Sequence, residues 1–460
     1  MNQPTTTEAA DDHALSRSLR PRHVSMITIG GIIGAGLFVV SGAAISAVGP
    51  AVIFTYAITG TLLLLIMRML GEMAVAMPKV RSFTEFTREG LGNWAGFSVG
   101  WLYWYFWVIV IPIEAMAGAG ILVHWLPYPA WAIGSVLMAL MTFVNLMSAR
   151  SYGEFEFWFS SIKIAAIIVF IALCAAFAFG ITSHHGLTFG NLVNNGGFAP
   201  HGIGAIFAAV TTVFFTMMGA EIVTVAAAES AEPAKAVANM TSSVIWRIVI
   251  FYILSIFLIV SVIDWRIIKP PASPFTLALD AMNIPLASTI MSAIILTAVL
   301  SCLNSAFYVA SRVLFVLAEK GDAPRWLIKT NARRVPARSV MLGSIAGFAG
   351  IWLREASPDR VFAFLVNASG ALIVLIYMMI AISHVRLRFA RDRAGIPQPT
   401  LKMWLFPWAS YLAIGAMGCV LVAMATSPEH IDELWASAIS VALTLVAYVL
   451  LRRGKGVPTA

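Results

Sequence analysis

The chain has 460 residues, of which 60% are hydrophobic and only 11% charged. A soluble domain carries about 25% charged residues, so this balance excludes a water-soluble protein and indicates a polytopic membrane protein. The formal charge of +8 then reads as a topology signal, and nucleic-acid binding is not expected.

Residues 1–20 (MNQPTTTEAADDHALSRSLR) are polar and lack the apolar core of a cleavable signal. They read as a disordered cytoplasmic tail. A bilayer crossing needs about 20 apolar residues. Such stretches follow at 22–46, 51–77, 94–124, 128–147, 156–181, 203–229, 242–263, 284–317, 337–356, 359–386, 405–426 and 433–452. Twelve spans are therefore expected, with both termini on one side. With the N-terminus inside, the outer side holds Arg266, Lys269, Arg354 and Arg360, and most of the 30 Lys and Arg lie inside, as the positive-inside rule requires. The basic runs "RWLIKTNARRVPARS" and "HVRLRFARDR" belong to that pattern.

The first span contains "TIGGIIGAGLF", Thr28 to Phe38, with four glycines in eleven residues. Glycine is a poor helix former, and an unpaired backbone amide in lipid costs several kcal/mol. A break here is tolerable only beside a cavity or inside protein. Unwinding around Gly30–Gly34 would start a half-helix near Ala35–Gly36, whose free N–H groups suit a carboxylate. Gly30 and Gly34 also have the spacing of close helix packing, and on this stretch alone the two readings stand level. In the second span Arg68 and Glu72 lie one turn apart and are spaced to pair. In the third, "GWLYWYFWVIVIP" brings six aromatics, read as an interfacial belt ahead of a ligand cage. Glu114 follows Pro112, which predicts a local kink. Lys163 in the fifth span either snorkels to the interface or is a buried amine that exchanges a proton.

The sixth span, "TTVFFTMMGAEIVTVAAAES", places Glu221 two residues after Gly219. A carboxylate at that depth is expensive and functional by default, whereas Glu229 near the inner end reads as solvated. Unwinding at Gly219 would free carbonyls such as that of Met218 for an ammonium. Amides on span 1 and carbonyls at both breaks together describe a zwitterion site. Interrupted helices in corresponding positions of two halves indicate an inverted-repeat transporter. Here they sit five spans apart, which fits two five-helix repeats and two further helices. The longer linkers are 182–202, 264–283 with "KPPASP", and 318–336 with "EKGDAPRW". His184–His185 reads as a solvated outer-loop pair. Cys174, Cys302 and Cys419 fall inside expected helices and read as small apolar groups, with no disulfide or metal spacing.

From about Arg22 to Arg453 the chain resembles the amino acid–polyamine–organocation superfamily, and within it the bacterial amino acid permeases. The resemblance is carried by "RPRHVSM", "GGIIGAGLF", "IMRMLGEMAVAMP", "GWLYWYFWVIVIPIEA", "YGEFEFWF", "MGAEIVTVAAAES", "NSAFYVASR" and "LKMWLFPW". The third-span and sixth-span motifs are similar to the branch that carries 4-aminobutyrate (GABA). The resemblance implies an all-α integral membrane protein with twelve transmembrane helices: a LeuT-type five-plus-five inverted repeat with helices 1 and 6 broken, plus two C-terminal helices. Residues 21–182 and 203–390 would be the repeats, 403–453 the accessory helices and 454–460 a cytoplasmic tail. It implies import of GABA or a similar zwitterion by proton symport across the bacterial inner membrane, with no cofactor beyond the coupling proton. Amides near Ala35 and Gly36 would hold the substrate carboxylate. Carbonyls of Ile32, Phe215 and Met218 would receive an amine, with Phe215 as an aromatic gate. Gly34, Glu114, Gly219, Ala220 and Glu221 complete the candidate substrate site. Lys163 and Glu221 are the proton-coupling candidates, with Glu221 linking the site to helix movement. One departure is the glycine at 36, where the GABA branch carries a bulkier or polar residue.

Within this class the alternative is a permease or exchanger for a common α-amino acid of the proline, alanine, aromatic or asparagine type. A nutrient receptor that binds without transport is a remoter reading. No nucleophile–base or metal constellation supports an enzyme, and no charge ring or repeated filter supports a channel. Expected partners are an amino acid, protons and membrane lipid, with no obligate protein partner.

Overall fold

A computed structural model describes residues 26, 33–78, 80, 82–147, 149–182, 186–222, 245–270, 272–426 and 431–454. Among these residues there are helices, turns and irregular segments, and no strand. Eight helical stretches are long and apolar enough to cross a membrane: Gly36–Ala76, Asn93–Leu122, Gly153–Ala178, Ile245–Val262, Ala287–Glu319, Arg360–Arg393, Trp408–Thr426 and Ile431–Leu451. Shorter apolar helices lie at Ala130–Asn145, Gly202–Thr216 and Ala337–Leu353. The first long stretch is not one rod. A π-type turn at Gly36–Val40 leads into α1 (Ser41–Val48), which stops at Gly49. Gly49 has φ 76°, open to glycine at little cost, and the turn Gly49–Ala51 with Pro50 starts α2 (Val52–Ala76).

The remaining α-helices among the described residues are α3 (Phe83–Leu91), α4 (Asn93–Leu122), α5 (Ala130–Asn145), α6 (Ala149–Ala178), α7 (Gly202–Ala208), α8 (Val210–Thr216), α9 (Ser255–Val262), α10 (Pro274–Ala281), α11 (Ala287–Glu319), α12 (Ala337–Ala356), α13 (Pro358–Arg393), α14 (Trp408–Thr426) and α15 (Ile431–Gly454). Two of these, α3 and α10, lie in segments read from sequence as linkers. Helix α3 is amphipathic and capped by Ser82, whose side chain accepts from the Thr84 N–H at 3.3 Å. It buries Phe83 and Phe86 against α4 and α13. Arg88 of α3 pairs with Asp322 just beyond α11 and with Glu85 at 3.2 Å.

Helix α4 is the central strut, packed along α11, α12, α13 and α3. Its burial corrects the belt reading of the aromatic cluster. Tyr103, Phe106 and Trp107 are sealed in the core, while Tyr105 is 39% exposed. Several polar side chains pair across helices, which keeps them from facing lipid alone. Asn145 of α5 donates to Asn304 Oδ1 of α11 at 2.8 Å, and Thr142 and Ser344 hydroxyls meet at 2.8 Å.

The spacing of Arg68 and Glu72 on α2 predicts a pair, and the structure shows other partners. Glu72 accepts from Arg388 of α13 and from the Met403 N–H at 2.6 Å, and lies 3.1 Å from His384 Nε2. Arg68 Nε donates to the Lys402 carbonyl at 2.7 Å, with its guanidinium 4.6 Å over the Trp404 ring. A buried carboxylate takes the strongest available donors, and those come from α13 and the 400–404 segment.

Candidate functional site: a buried cavity between helix ends

Ile33 and Gly34 are not helical, and helix begins at Ala35. Opposite, α8 ends at Thr216 and the chain turns through Met217–Glu221, with Gly219 at φ 103°. The turn is tied by its own carboxylate. Glu221 accepts from the Gly219 N–H at 3.3 Å, from Tyr103 Oη at 3.2 Å and from Tyr377 Oη at 2.8 Å. Three donors partner a carboxyl group whose burial would otherwise be costly.

Between these two segments lies a cavity of about 20 Å³, room for roughly one water. Of the residues expected at the site, Gly34, Gly36, Glu114, Phe215 and Met218 line it. Trp107, Val110, Thr216 and Cys302 line it as well. Ala35 contributes its backbone: its N–H donates to both Glu114 oxygens, each at 3.3 Å. Gly219, Ala220 and Glu221 stand behind the lining, in the turn that carries Met218. Ile32, Glu229 and the His184–His185 pair lie outside the described residues.

The two readings of the first-span glycines both have a physical basis at Gly34 and Gly36. A Cβ on Gly36 would stand 2.7 Å from Thr216 Cα, and one on Gly34 would stand 2.7 Å from Cys302 Sγ and 3.1 Å from Glu114 Oε1. Close packing brings the segments together, and the same absence of side chains leaves the backbone facing the cavity.

Lys163 does not snorkel; it is completely buried. Its Nζ donates to the Ile33 carbonyl at 3.0 Å and to Ser301 Oγ at 2.9 Å, and lies 3.6 Å from Glu156 Oε1. Glu156 in turn accepts from Ser301 Oγ at 2.8 and 2.7 Å and from Ser160 Oγ at 2.9 Å. Lys163 on α6 is thus bonded to Ile33, two residues before the cavity's helix start. Glu156, Ser301, Tyr103 and Tyr377 are not singled out from sequence, and Cys302, read there only as a small apolar group, lines the cavity. Glu156 had a signal: it precedes Lys163 by seven residues, two helical turns, and so shares its face. Ser301, Tyr377 and Cys302 arrive from distant helices and carry no local pattern. Among the described residues, no group of three or more His, Cys, Asp or Glu is placed to hold a metal ion.

A multi-pass bundle of apolar helices enclosing a small, mostly apolar cavity with one carboxyl group at helix ends has the build of a membrane transporter. The chain belongs to the amino acid permease family, whose sequence model matches residues 23–459. It is 42% identical over 443 residues to the gamma-aminobutyric acid permease of Bacillus subtilis (strain 168), covering 96% of this chain and 94% of that one. It is 44% identical over 427 residues to the gamma-aminobutyric acid permease of Escherichia coli (strain K12), with 92% and 91% covered. An aromatic amino acid transport protein of Corynebacterium glutamicum is 36% identical over 438 residues, with 94% of each chain covered. The backbone matches a manganese transporter of Eremococcus coleocola with a TM-score of 0.60 over 98% of this chain and 95% of that one. At 11% identity that likeness speaks to fold alone. The relatives are permeases, so the chain is a transporter of the amino acid permease family and not an enzyme.

Proposed function

We propose that the protein is a secondary active transporter that imports GABA, or a closely similar zwitterionic amino acid, with protons as the coupling ion. The observation that carries this reading is chemical. The Ala35 N–H, at the start of a helix and at the edge of the cavity, already receives a carboxylate from Glu114 at 3.3 Å. A helix start that accepts one carboxylate suits the carboxylate of an amino acid. Similarity to GABA permeases over nearly the whole chain supports the choice of substrate.

In this reading the substrate carboxylate meets the amides of Ala35 and Gly36, and its amine meets carbonyls of Ile32, Phe215 and Met218. Phe215 acts as the gate. Lys163 takes up and releases the coupling proton, and its bond to Ile33 passes that change to the cavity. Glu221 moves with the Met217–Glu221 turn. The architecture is the LeuT-type arrangement, with twelve spans, broken helices 1 and 6, five-helix repeats at 21–182 and 203–390, accessory helices at 403–453, and both termini in the cytoplasm of a bacterium. Alternating access opens the cavity, whose present volume is below that of any amino acid.

The test is uptake of labelled GABA into proteoliposomes holding the purified protein, with and without an inward proton gradient. Accumulation that depends on the gradient is the expected result. Saturable binding without uptake would show a receptor, and uptake indifferent to the gradient would remove the proton.

A further inference from the structure

The Ala35 N–H holds one carboxylate, and in this structure that carboxylate is Glu114. We propose that Glu114 is the specificity-determining counter-ion of the site. A substrate carboxylate displaces it from Ala35, and Glu114 turns across the cavity to pair with the substrate ammonium. This rests on the cavity being the substrate site, as argued above.

Three observations carry the inference. First, the contact is of a kind that can be exchanged. Both Glu114 oxygens share one N–H at 3.3 Å, longer than the 2.7–2.9 Å of a strong charge-assisted bond. Second, Glu114 has somewhere to go. Its side chain lines the cavity, and a glutamate has three side-chain torsions through which to swing. A Cβ on Gly34 would stand 3.1 Å from Glu114 Oε1 and 2.7 Å from Cys302 Sγ, so glycine there lets the carboxylate lie against the first-span backbone. Third, among the described residues that line the cavity Glu114 is the one carboxylate, and the others bring no charged side chain. The nearby cation Lys163 is engaged by Glu156, Ser301 and Ile33.

Charge bookkeeping then selects the ligand. A zwitterion brings one negative group for the vacated amide and one positive group for the displaced Glu114, so the site's net charge is unchanged. A plain carboxylic acid brings a second anion and no cation, leaving Glu114 buried without a partner. The reach of Glu114 away from Ala35 sets the preferred separation of amine and carboxylate.

The experiment compares GABA with butyrate, the same chain without the amine, by inhibition of labelled substrate uptake and by direct titration of purified protein. Wild type should prefer GABA to butyrate by on the order of a hundredfold or more, the usual consequence of truncating one partner of a buried charge pair. Glu114→Gln should weaken GABA and strengthen butyrate, so that the preference falls to within about tenfold. A purely structural role would weaken both ligands by the same factor and keep the preference, and that result overturns the proposal. Glu114→Asp supplies a second readout should the glutamine variant fail to fold. Its charge is kept and its reach is shorter by one methylene, so preference should shift from GABA toward 5-aminopentanoate. An unchanged chain-length order in that variant also overturns the proposal. If wild type takes up an α-amino acid in place of GABA, the substrate reading fails, and the same comparison with the matching deaminated acid still decides this one. Wild-type protein that binds no amino acid removes both.

Discussion

Replacing Gly36 by alanine adds one methyl at the most crowded point of the site. The new Cβ would stand 2.7 Å from Thr216 Cα, 3.1 Å from its carbonyl oxygen and 3.3 Å from its carbonyl carbon, where ordinary contact begins at 3.4 Å. These are backbone atoms, so no rotamer change relieves the overlap. Thr216 is also held in place: its carbonyl accepts from Tyr252 Oη at 2.8 Å, and its hydroxyl donates to the Val213 carbonyl at 2.8 Å. The two segments must therefore part by about 0.7 Å, a small-to-large change of the kind that costs about 1–3 kcal/mol. That parting separates the Ala35 amide from Phe215 and Met218, which the substrate must touch together. If the strain is relieved only with the site disturbed, affinity falls by roughly 5- to 150-fold. The assay is concentration-dependent GABA uptake in proteoliposomes, beside thermal unfolding of the detergent-solubilised protein. Gly120→Ala is the control, since a Cβ there meets nothing within 4 Å. Gly36→Val should abolish binding while leaving membrane insertion intact. Wild-type KM and wild-type melting temperature in Gly36→Ala would refute the reasoning.

Lys163→Ala should lose accumulation driven by a proton gradient while retaining counterflow, and Lys163→Arg should be inactive because a guanidinium does not release its proton. Concentrative uptake by Lys163→Arg would place the proton route elsewhere. Glu156→Gln and Lys163→Met should each destabilise the protein by about 3–5 kcal/mol, the cost of leaving a buried charge without its partner. The double variant should lose much less than the sum, and additive losses in unfolding measurements would show that the two do not act as a pair. Tyr377→Phe removes the 2.8 Å donor to Glu221 and should cost about 1.5–3 kcal/mol. An unchanged melting temperature would mean that the Met217–Glu221 turn is held by other contacts.

Hydropathy marked the eight long apolar helices seen among the described residues, because a bilayer imposes a length and a composition that each span must meet by itself. The same signal is blind to which way a helix faces. Six aromatics packed into Trp101–Trp107 cover every direction of a helix with 3.6 residues per turn, so some had to face the core, and Tyr103, Phe106 and Trp107 do. Helix α3 escaped notice because nine amphipathic residues between two long spans leave a weak trace. Its capping signature, Ser82 followed three residues later by Glu85, was nevertheless present in the sequence. The expected Arg68–Glu72 pair failed for a different reason. Spacing shows what a side chain can reach, and partner choice depends on competitors such as Arg388, which lies 316 residues away. At the site, the costly intramembrane charges Glu114, Lys163 and Glu221 were legible one at a time. Their partners Ala35, Glu156 and Tyr377 belong to the tertiary fold, apart from Glu156 on the lysine's own helix face.

The central claim is selectivity for a single net-neutral zwitterion, and competition against labelled GABA uptake at matched concentrations tests it most directly. Among the described residues no arginine lines the cavity, so a second carboxylate would be buried unpaired at a cost of several kcal/mol, roughly a thousandfold in affinity. GABA itself should compete well, three-carbon and five-carbon ω-amino acids less well, and glutamate and arginine hardly at all. Strong competition by glutamate or arginine, or robust uptake of an α-amino acid with none of GABA, would contradict the account.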